Sequence, residues 1–224
     1  MIKNYIIGSG YLSNELKKEL PNSKIYTAKA FLEEIKITNE SKKKINLIIN
    51  SFYSSRKLNN FYSYRIFVEK SLLETAMILD KINPKIIKKI LYTSSSSVYG
   101  SINDKIKVLD QNNRYIYSSI KLSCETLLKN FSNKSNIDLD ICRVFNLYGN
   151  DDSFSIISKL KAISRNQNEK ITIYNNGKSI RDFIHVNDVS KIYRKLLLKK
   201  GSGIIDIGSG KGLIFLSSIA KFFL

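Results

Sequence analysis

Residues 1–20 read MIKNYIIGSGYLSNELKKEL. A short apolar run from Ile2 to Ile7 ends in Gly8-Ser9-Gly10, and an amphipathic run from Ser13 to Leu20 follows at once. A strand that turns through glycines directly into a helix is the opening unit of a parallel α/β sheet. The glycines let the backbone turn tightly, and the free N–H groups at the helix start favour an anion such as a pyrophosphate. Gly8, Ser9, Gly10, Tyr11 and Leu12 are the candidate residues of that turn. Ser13 stands where a full G-x-G-x-x-G pattern carries its third glycine.

Outward from this unit the same alternation continues. Strand candidates are Lys24 to Thr27, Ile45 to Asn50, Lys88 to Thr93, Asp140 to Phe145 and Ile204 to Ile207. Between them lie helical stretches, Phe31 to Ile37, Phe61 to Ile82, Tyr115 to Phe131, Ser153 to Arg165 and Asn187 to Leu198. Short β-branched runs alternating with longer amphipathic ones predict an α/β fold, a Rossmann-like, doubly wound parallel sheet covered by crossover helices. Leu73, Ala76 and Met77 fall at i, i+3 and i+4, an apolar face expected to serve core or dimer packing. Pro21 and Pro84 each fall where a helix should end. The segment from Asp151 to Lys178 breaks the alternation, carries a short strand candidate at Ile171 to Tyr174, and reads as an excursion from the sheet.

With 224 residues the chain can bury a core without disulfide or metal staples. Its two cysteines, Cys124 and Cys142, lack ligand-like spacing and read as reduced core thiols; no metal site is expected. No apolar run approaches the roughly 18 residues that cross a bilayer, and the N-terminus lacks the basic-then-apolar order of a secretory signal, so a cytoplasmic protein without membrane insertion is expected. The formal net charge is +18. Its lysines are spread along the chain, and Lys42-Lys43-Lys44 has no reading helix or base-stacking motif beside it. The charge is therefore read as a solvated surface that attracts a polyanionic small molecule, not nucleic acid.

Tyr117 and Lys121 stand four apart on a predicted helix, so both side chains point the same way. A lysine beside a tyrosine lowers the phenol pKa, and such a phenol can act as general acid or base. In a chain with 13 tyrosines the spacing alone says little. Position adds to it: the pair follows Tyr92-Thr93-Ser94-Ser95-Ser96-Ser97-Val98-Tyr99-Gly100, which begins at the end of the predicted fourth strand. Ligands of open parallel sheets bind beyond the carboxyl ends of the strands.

Together these residues resemble the extended short-chain dehydrogenase/reductase family, the NAD(P)-dependent nucleotide-sugar epimerases, dehydratases and reductases. The resemblance covers nearly the whole chain in order. Ser95, three residues before Val98, matches the reactive hydroxyl of the family's serine-rich strand end, and Tyr117 and Lys121 match its tyrosine/lysine pair. Arg143-Val144-Phe145-Asn146-Leu147-Tyr148-Gly149 is similar to the segment leading into the substrate region. Arg181-Asp182-Phe183-Ile184-His185-Val186-Asn187-Asp188-Val189 is similar to a second long motif, and Asp206-Ile207-Gly208-Ser209-Gly210 to the last strand and turn.

The resemblance implies catalysis by Ser95, Tyr117 and Lys121. It implies cofactor binding by Gly8, Ser9, Gly10, Tyr11, Leu12, Asn50, Tyr117 and Lys121. Substrate binding falls to Ser95, Ser96, Asn146 and Arg181, with His185 structural. The expected activity is an epimerase or ketoreductase of a nucleoside-diphosphate sugar for polysaccharide biosynthesis, by hydride transfer with NAD or NADP. Residues 1–150, joined by 181–210, are expected to form the dinucleotide-binding domain, with 151–180 and 211–224 an incomplete substrate-binding part. A homodimer through the Phe61 and Tyr115 helices is implied in the same way.

Four departures accompany the match. The third glycine is Ser13, and no acid follows the second strand between Pro21 and Leu32, where Lys24 and Lys29 lie instead, which leans toward NADP. Phe52-Tyr53 stand where the family has small residues, and the chain stops at Leu224 where family members continue. Ser96 and Ser97 replace the Asp-Glu pair of the sugar 4,6-dehydratases, which disfavours dehydration. The rival expectation is a non-catalytic or cofactor-sensing Rossmann-fold protein with a degraded cofactor site.

Overall fold

The parallel strands do form, and each lies within a few residues of its expected place. The computed structural model describes residues 2–40, 43–50, 64–100, 113–165 and 174–214. In chain order the elements are β1 (Lys3–Ile7), α1 (Tyr11–Glu19), β2 (Ser23–Tyr26), α2 (Ala28–Asn39), β3 (Ile45–Ile49), α3 (Tyr64–Val68), a π-helical turn (Glu69–Leu73), α4 (Glu74–Lys81) and β4 (Ile87–Ser95). Then come α5 (Asn113–Ser135), β5 (Asp138–Val144), β6 (Asn146–Tyr148), α6 (Ile156–Arg165), β7 (Ile180–His185), α7 (Val186–Leu198), β8 (Gly203–Ile207) and β9 (Gly212–Ile214).

Six strands make one parallel sheet in the order β2-β1-β3-β4-β5-β8. The chain leaves β1 toward β2 on one side and returns to β3 on the other. The direction of winding therefore reverses between β1 and β3, and that reversal opens the crevice in which such sheets bind ligands. The Gly8–Gly10 turn follows β1 and Asn50 follows β3, so both flank it.

Side-chain alternation divides the core in two. Tyr5, Ile7, Leu47, Ile49, Ile90 and Tyr92 face α2, α4 and α5. Ile6, Ile48, Leu91, Cys142 and Val144 face α1 and α7. Among polar residues Lys89 is buried on the second face, where its Nζ lies 2.7 Å from Asp140 Oδ2 and donates to the carbonyl of Lys199.

Two expectations change. Of the two packing roles expected for the Leu73, Ala76, Met77 face, core or dimer, the core one falls: Leu73 is 49% exposed, while Thr75, Ile78, Leu79 and Ile82 are buried. The neighbouring stripe wins because Thr75 donates its hydroxyl to the carbonyl of Ser71 at 2.7 Å, so a polar side chain is hidden at little cost inside an otherwise apolar row. The second change is a small additional sheet, β6-β7-β9, with β6 parallel and β9 antiparallel to β7. Strands of three residues, such as β6 and β9, are too short for a period-2 signal. The Ile171 to Tyr174 strand candidate lies outside the described residues except for Tyr174, which opens a 3-10 turn.

Candidate functional site

At the carboxyl end of β4, Ser95 and the first half of α5 come together. The Tyr117 phenol lies near enough to the Ser95 hydroxyl for that hydroxyl to lower its pKa. Lys121, one helical turn on and 6% exposed, donates from Nζ to the carbonyl of Thr93 at 2.7 Å. Its ammonium lies 5.9 Å from the Tyr117 ring centre and 5.0 Å from that of Tyr92. The three residues singled out as catalytic are thus gathered at one edge of the sheet. A narrow pocket of about 20 Å³, room for about one water molecule, is lined by Asn50, Phe67, Thr75, Tyr92, Tyr117 and Lys121 and joins the end of β3 to the tyrosine/lysine pair.

The electrostatics differ from the simple expectation. Burial pushes the Tyr117 phenol above its ordinary value, and the Ser95 hydroxyl only partly offsets it. The same burial pushes Lys121 down from 10.5 to about 8, against the pull of Cys124 and Glu125. A lysine paired with a phenol was expected to lower the phenol, but its nearest acceptor is the Thr93 carbonyl, and desolvation governs both groups.

The β1–α1 turn is tight and open to solvent at the start of α1. Gly8 has φ +105, and a Cβ at Gly10 would meet nothing within 4 Å. Gly10 caps α1 without any side-chain hydrogen bond, and Ser9 and Gly10 are exposed, so the helix start presents its N–H groups outward. Ser13, 1% exposed, is accommodated by donating to the carbonyl of Gly8 and accepting from Asn50 Nδ2 at 2.7 Å. Tyr11 donates to the carbonyl of Gly149 and packs edge-on against Phe154, which fastens the turn to the segment after β6. Leu12 packs on the core beneath α1.

After β2 the acid comes from the next helix: Glu34 accepts from the Tyr26 hydroxyl at 2.9 Å and lies 3.7 Å from Lys24 Nζ. Thr27 caps α2 by accepting from the N–H of Ala30 at 3.1 Å. Phe52 and Tyr53 lie outside the described residues.

The expected substrate residues sit on the small sheet or beside it. Ser96 opens the 3-10 turn after β4 and is half-buried. Asn146 starts β6, two residues past Val144, the register partner of Ser95, and donates from Nδ2 to the carbonyl of Asp182 at 2.8 Å. Arg181 lies on β7 opposite Leu213 of β9 and is half-buried. His185 takes a structural place: its Nδ1 accepts from the N–H of Asn187 at 3.2 Å, capping α7, and its ring meets Tyr148 edge-on.

Several residues of the site escape a reading of the sequence. Glu125, 2% exposed, accepts from Ser94 Oγ at 2.6 Å and pairs with Arg143 through two bonds of 3.1 and 2.8 Å. The Arg143 guanidinium lies 4.7 Å from the centre of the Tyr99 ring, and the Tyr99 hydroxyl donates to Asp206 at 2.8 Å. Asp182 accepts from the N–H groups of Ser209 and Gly210, holding the turn after β8. The i, i+4 spacing of Lys121 and Glu125 was a signal for a shared helix face, but only the register Ser94 to Arg143 brings the arginine to it. Among the described residues no cluster could hold a metal ion, and no helix is long and apolar enough to cross a membrane.

A doubly wound sheet with a glycine turn at its switch point and a Ser/Tyr/Lys group at a strand end two strands away has the arrangement of a Rossmann-like α/β scaffold. The pattern of the NAD dependent epimerase/dehydratase family matches residues 13–208, and the chain belongs to that family. It is 28% identical over 210 residues to the dTDP-D-glucose 4,6-dehydratase of Dictyostelium discoideum, covering 86% of this chain and 47% of that protein. With the UDP-glucose 4-epimerase of Yersinia enterocolitica it shares 24% over 181 residues, covering 70% and 53%. The chain spans about half the length of the curated relatives it matches. Its fold is similar to that of the UDP-N-acetylglucosamine 4-epimerase from Methanobrevibacter ruminantium in complex with UDP-N-acetylmuramic acid, with a TM-score of 0.77, 20% identity and coverage of 98% and 80%. The UDP-glucose 4-epimerase of Thermus thermophilus in complex with NAD gives 0.77, 15%, 98% and 83%.

Proposed function

We propose that this protein is an NAD(P)-dependent epimerase or ketoreductase of a nucleoside-diphosphate sugar. The observation that carries the reading is the convergence of Ser95, Tyr117 and Lys121 at the carboxyl end of β4, two strands from the open glycine turn after β1. In this reading residues 1–150 with 181–210 are the dinucleotide-binding domain, and 151–180 with 211–224 belong to the substrate-binding part. Gly8 to Leu12 hold the pyrophosphate, Asn50 supports the turn from beneath, and Tyr117 and Lys121 hold the ribose beside the nicotinamide. When bound, the dinucleotide supplies hydride acceptance and return at a sugar carbon.

Tyr117, entering as the phenolate, takes the proton from the sugar hydroxyl as the hydride leaves and gives it back to the keto oxygen when the hydride returns. Ser95 donates to the reacting oxygen. Lys121, whose charge is already costly in its buried setting, favours the phenolate once Tyr117 is deprotonated. Asn146 and Ser96 contact the sugar, and Arg181 pairs with the diphosphate through its guanidinium fork.

Three finer choices belong to the same reading. The lack of an acid between Pro21 and Leu32, with Glu34 occupied by Tyr26 and Lys24, favours NADP over NAD. Ser96 and Ser97 are hydroxyls without the acid/base range needed to break neighbouring C–H and C–O bonds, which favours epimerisation or reduction over 4,6-dehydration. A homodimer fits Tyr64, Ile66, Val68 and Leu73 on α3 to α4 and Leu122 on α5, all apolar and exposed. Phe61 itself lies outside the described residues. Polysaccharide biosynthesis and a cytoplasmic setting, compatible with the unpaired Cys124 and Cys142, complete the proposal.

The non-catalytic alternative is not favoured, because the Ser95, Tyr117 and Lys121 group is present and gathered. The test is a titration with NAD, NADH, NADP and NADPH, followed by conversion assays on UDP-, GDP- and dTDP-sugars with wild type and Tyr117→Phe. Saturable binding of one dinucleotide and sugar conversion abolished in Tyr117→Phe are expected. Absence of any dinucleotide binding at millimolar concentration overturns the reading.

A further inference from the structure

Four polar side chains form one directed chain beneath the crevice. The hydroxyl of the fully buried Tyr193 lies 2.7 Å from Thr93 Oγ1. Thr93 Oγ1 donates to Asn50 Oδ1, Asn50 Nδ2 donates to Ser13 Oγ at 2.7 Å, and the Ser13 hydroxyl donates to the carbonyl of Gly8. A hydroxyl has a single proton, so the donation by Thr93 to Asn50 makes Tyr193 the donor to Thr93. Every hydroxyl from Tyr193 to Ser13 is thereby spent once, and the direction ends on the backbone of the glycine turn. The backbone carbonyl of the same Thr93 accepts from Lys121 Nζ at 2.7 Å.

We propose that Thr93 is a positioning residue that sets the glycine turn in register with Lys121, acting through Asn50 and Ser13. The proposal rests on the dinucleotide reading above and deepens it. Ser13 is then a working member of the tie and not a weakened third glycine. Ser13 and Asn50 are buried, so a broken link leaves polar atoms unpaired away from water. The chain also crosses three adjacent strand ends, β1, β3 and β4, the span that separates the turn from the catalytic group. Thr93→Val keeps the shape but removes the donor to Asn50 and the acceptor for Tyr193. The Asn50 amide then loses its fixed orientation, and with it the hold on Ser13 and Gly8.

The experiment compares wild type, Thr93→Val, Thr93→Ser and Ser13→Gly, with Ile35→Ala as a core variant on α2, in the cluster on the other face of the sheet from Tyr193. Two quantities are read: amide exchange at Gly8 and Ser13 in the protein alone, and the Kd of each nicotinamide dinucleotide. Thr93→Val should exchange faster at Gly8 and Ser13 and bind about tenfold more weakly. Thr93→Ser should restore wild-type values in both, and Ile35→Ala should lower Tm without either change. Ser13→Gly, which restores the family glycine, should bind more weakly than wild type. Wild-type exchange and Kd in Thr93→Val, tighter binding in Ser13→Gly, or the same acceleration in Ile35→Ala would overturn the proposal. If the exchange responds as expected but wild type binds no dinucleotide, the coupling stands and the functional reading falls.

Discussion

Glu125 on α5 and Arg143 on β5 meet in a two-bond ion pair of 3.1 and 2.8 Å directly behind the serine-rich end of β4, where Ser94 donates to the same carboxylate. Neither residue reaches the crevice through any contact described above. Both are needed to hold the strand end on which Ser95 sits. Removing Glu125 would leave the Arg143 guanidinium, whose side chain is only 12% exposed, without its carboxylate.

Glu125→Ala is therefore expected to cost about 3–5 kcal/mol in urea denaturation. Burial alone would raise the Glu125 carboxyl, but the bonds from Arg143 and Ser94 outweigh it and hold the group below 4.5. A carboxylate lowered in the folded state stabilises the protein above its unfolded value and loses that contribution as pH falls through the folded one. Wild type should thus lose stability on acidification below about pH 4.5, more steeply than Glu125→Gln. Equal acid limbs for the two proteins would refute this role.

Tyr117→Phe removes the phenol but keeps the ring that packs against the larger core cluster. Its Tm should stay near wild type, since only the polar interaction with the Ser95 hydroxyl is lost, about 1 kcal/mol or less. Turnover on the substrate sugar should fall by about 10²–10⁴-fold. A turnover within a few-fold of wild type would remove Tyr117 from the chemistry.

Lys121, like Glu125, has a folded value below its unfolded one, so stability again rises with pH, here in an alkaline window. Burial lowers it from 10.5 to about 8, so between those values the unfolded chain holds the proton more firmly than the folded one. Its desolvation cost is complete below that window and absent above it. Measured against Lys121→Met, which has no charge to bury, wild type should gain roughly 1–3 kcal/mol in relative stability from about pH 8 to about pH 10.5. A pH-independent difference would show that the ammonium is better solvated than its surroundings indicate.

Gly149→Ala should destabilise the protein by about 1–3 kcal/mol. Gly149 has φ +112, and an added Cβ would stand 2.2 Å from Nε2 of His185, a ring pinned by its bond from Asn187 and its contact with Tyr148. The displacement should also uncap α7, seen as faster amide exchange at Asn187. Unchanged exchange there, with only a lower Tm, would mean that the ring stays in place and the backbone absorbs the strain.

The parallel sheet, its crossover helices and the shared helix face of Tyr117 and Lys121 could be read from the chain alone, because each rests on a local signal, whereas Ser95 was singled out by resemblance to a family. Alternating runs of β-branched and amphipathic residues mark strands and helices, a glycine pair marks the turn, and a four-residue spacing puts a phenol and an ammonium on one helix face. Tertiary structure alone decided the rest. Strand register brings Arg143 beside Ser94 and Glu125, and the reversal of winding between β1 and β3 sets Asn50 between Ser13 and Thr93. Burial also reverses the expected balance of the Tyr117 and Lys121 pKa values, since desolvation depends on what covers a side chain and not on its neighbours in sequence. The buried stripe of α4 follows the same rule: Thr75 enters the core because the Ser71 carbonyl is there to receive its proton, a partner that hydropathy does not count.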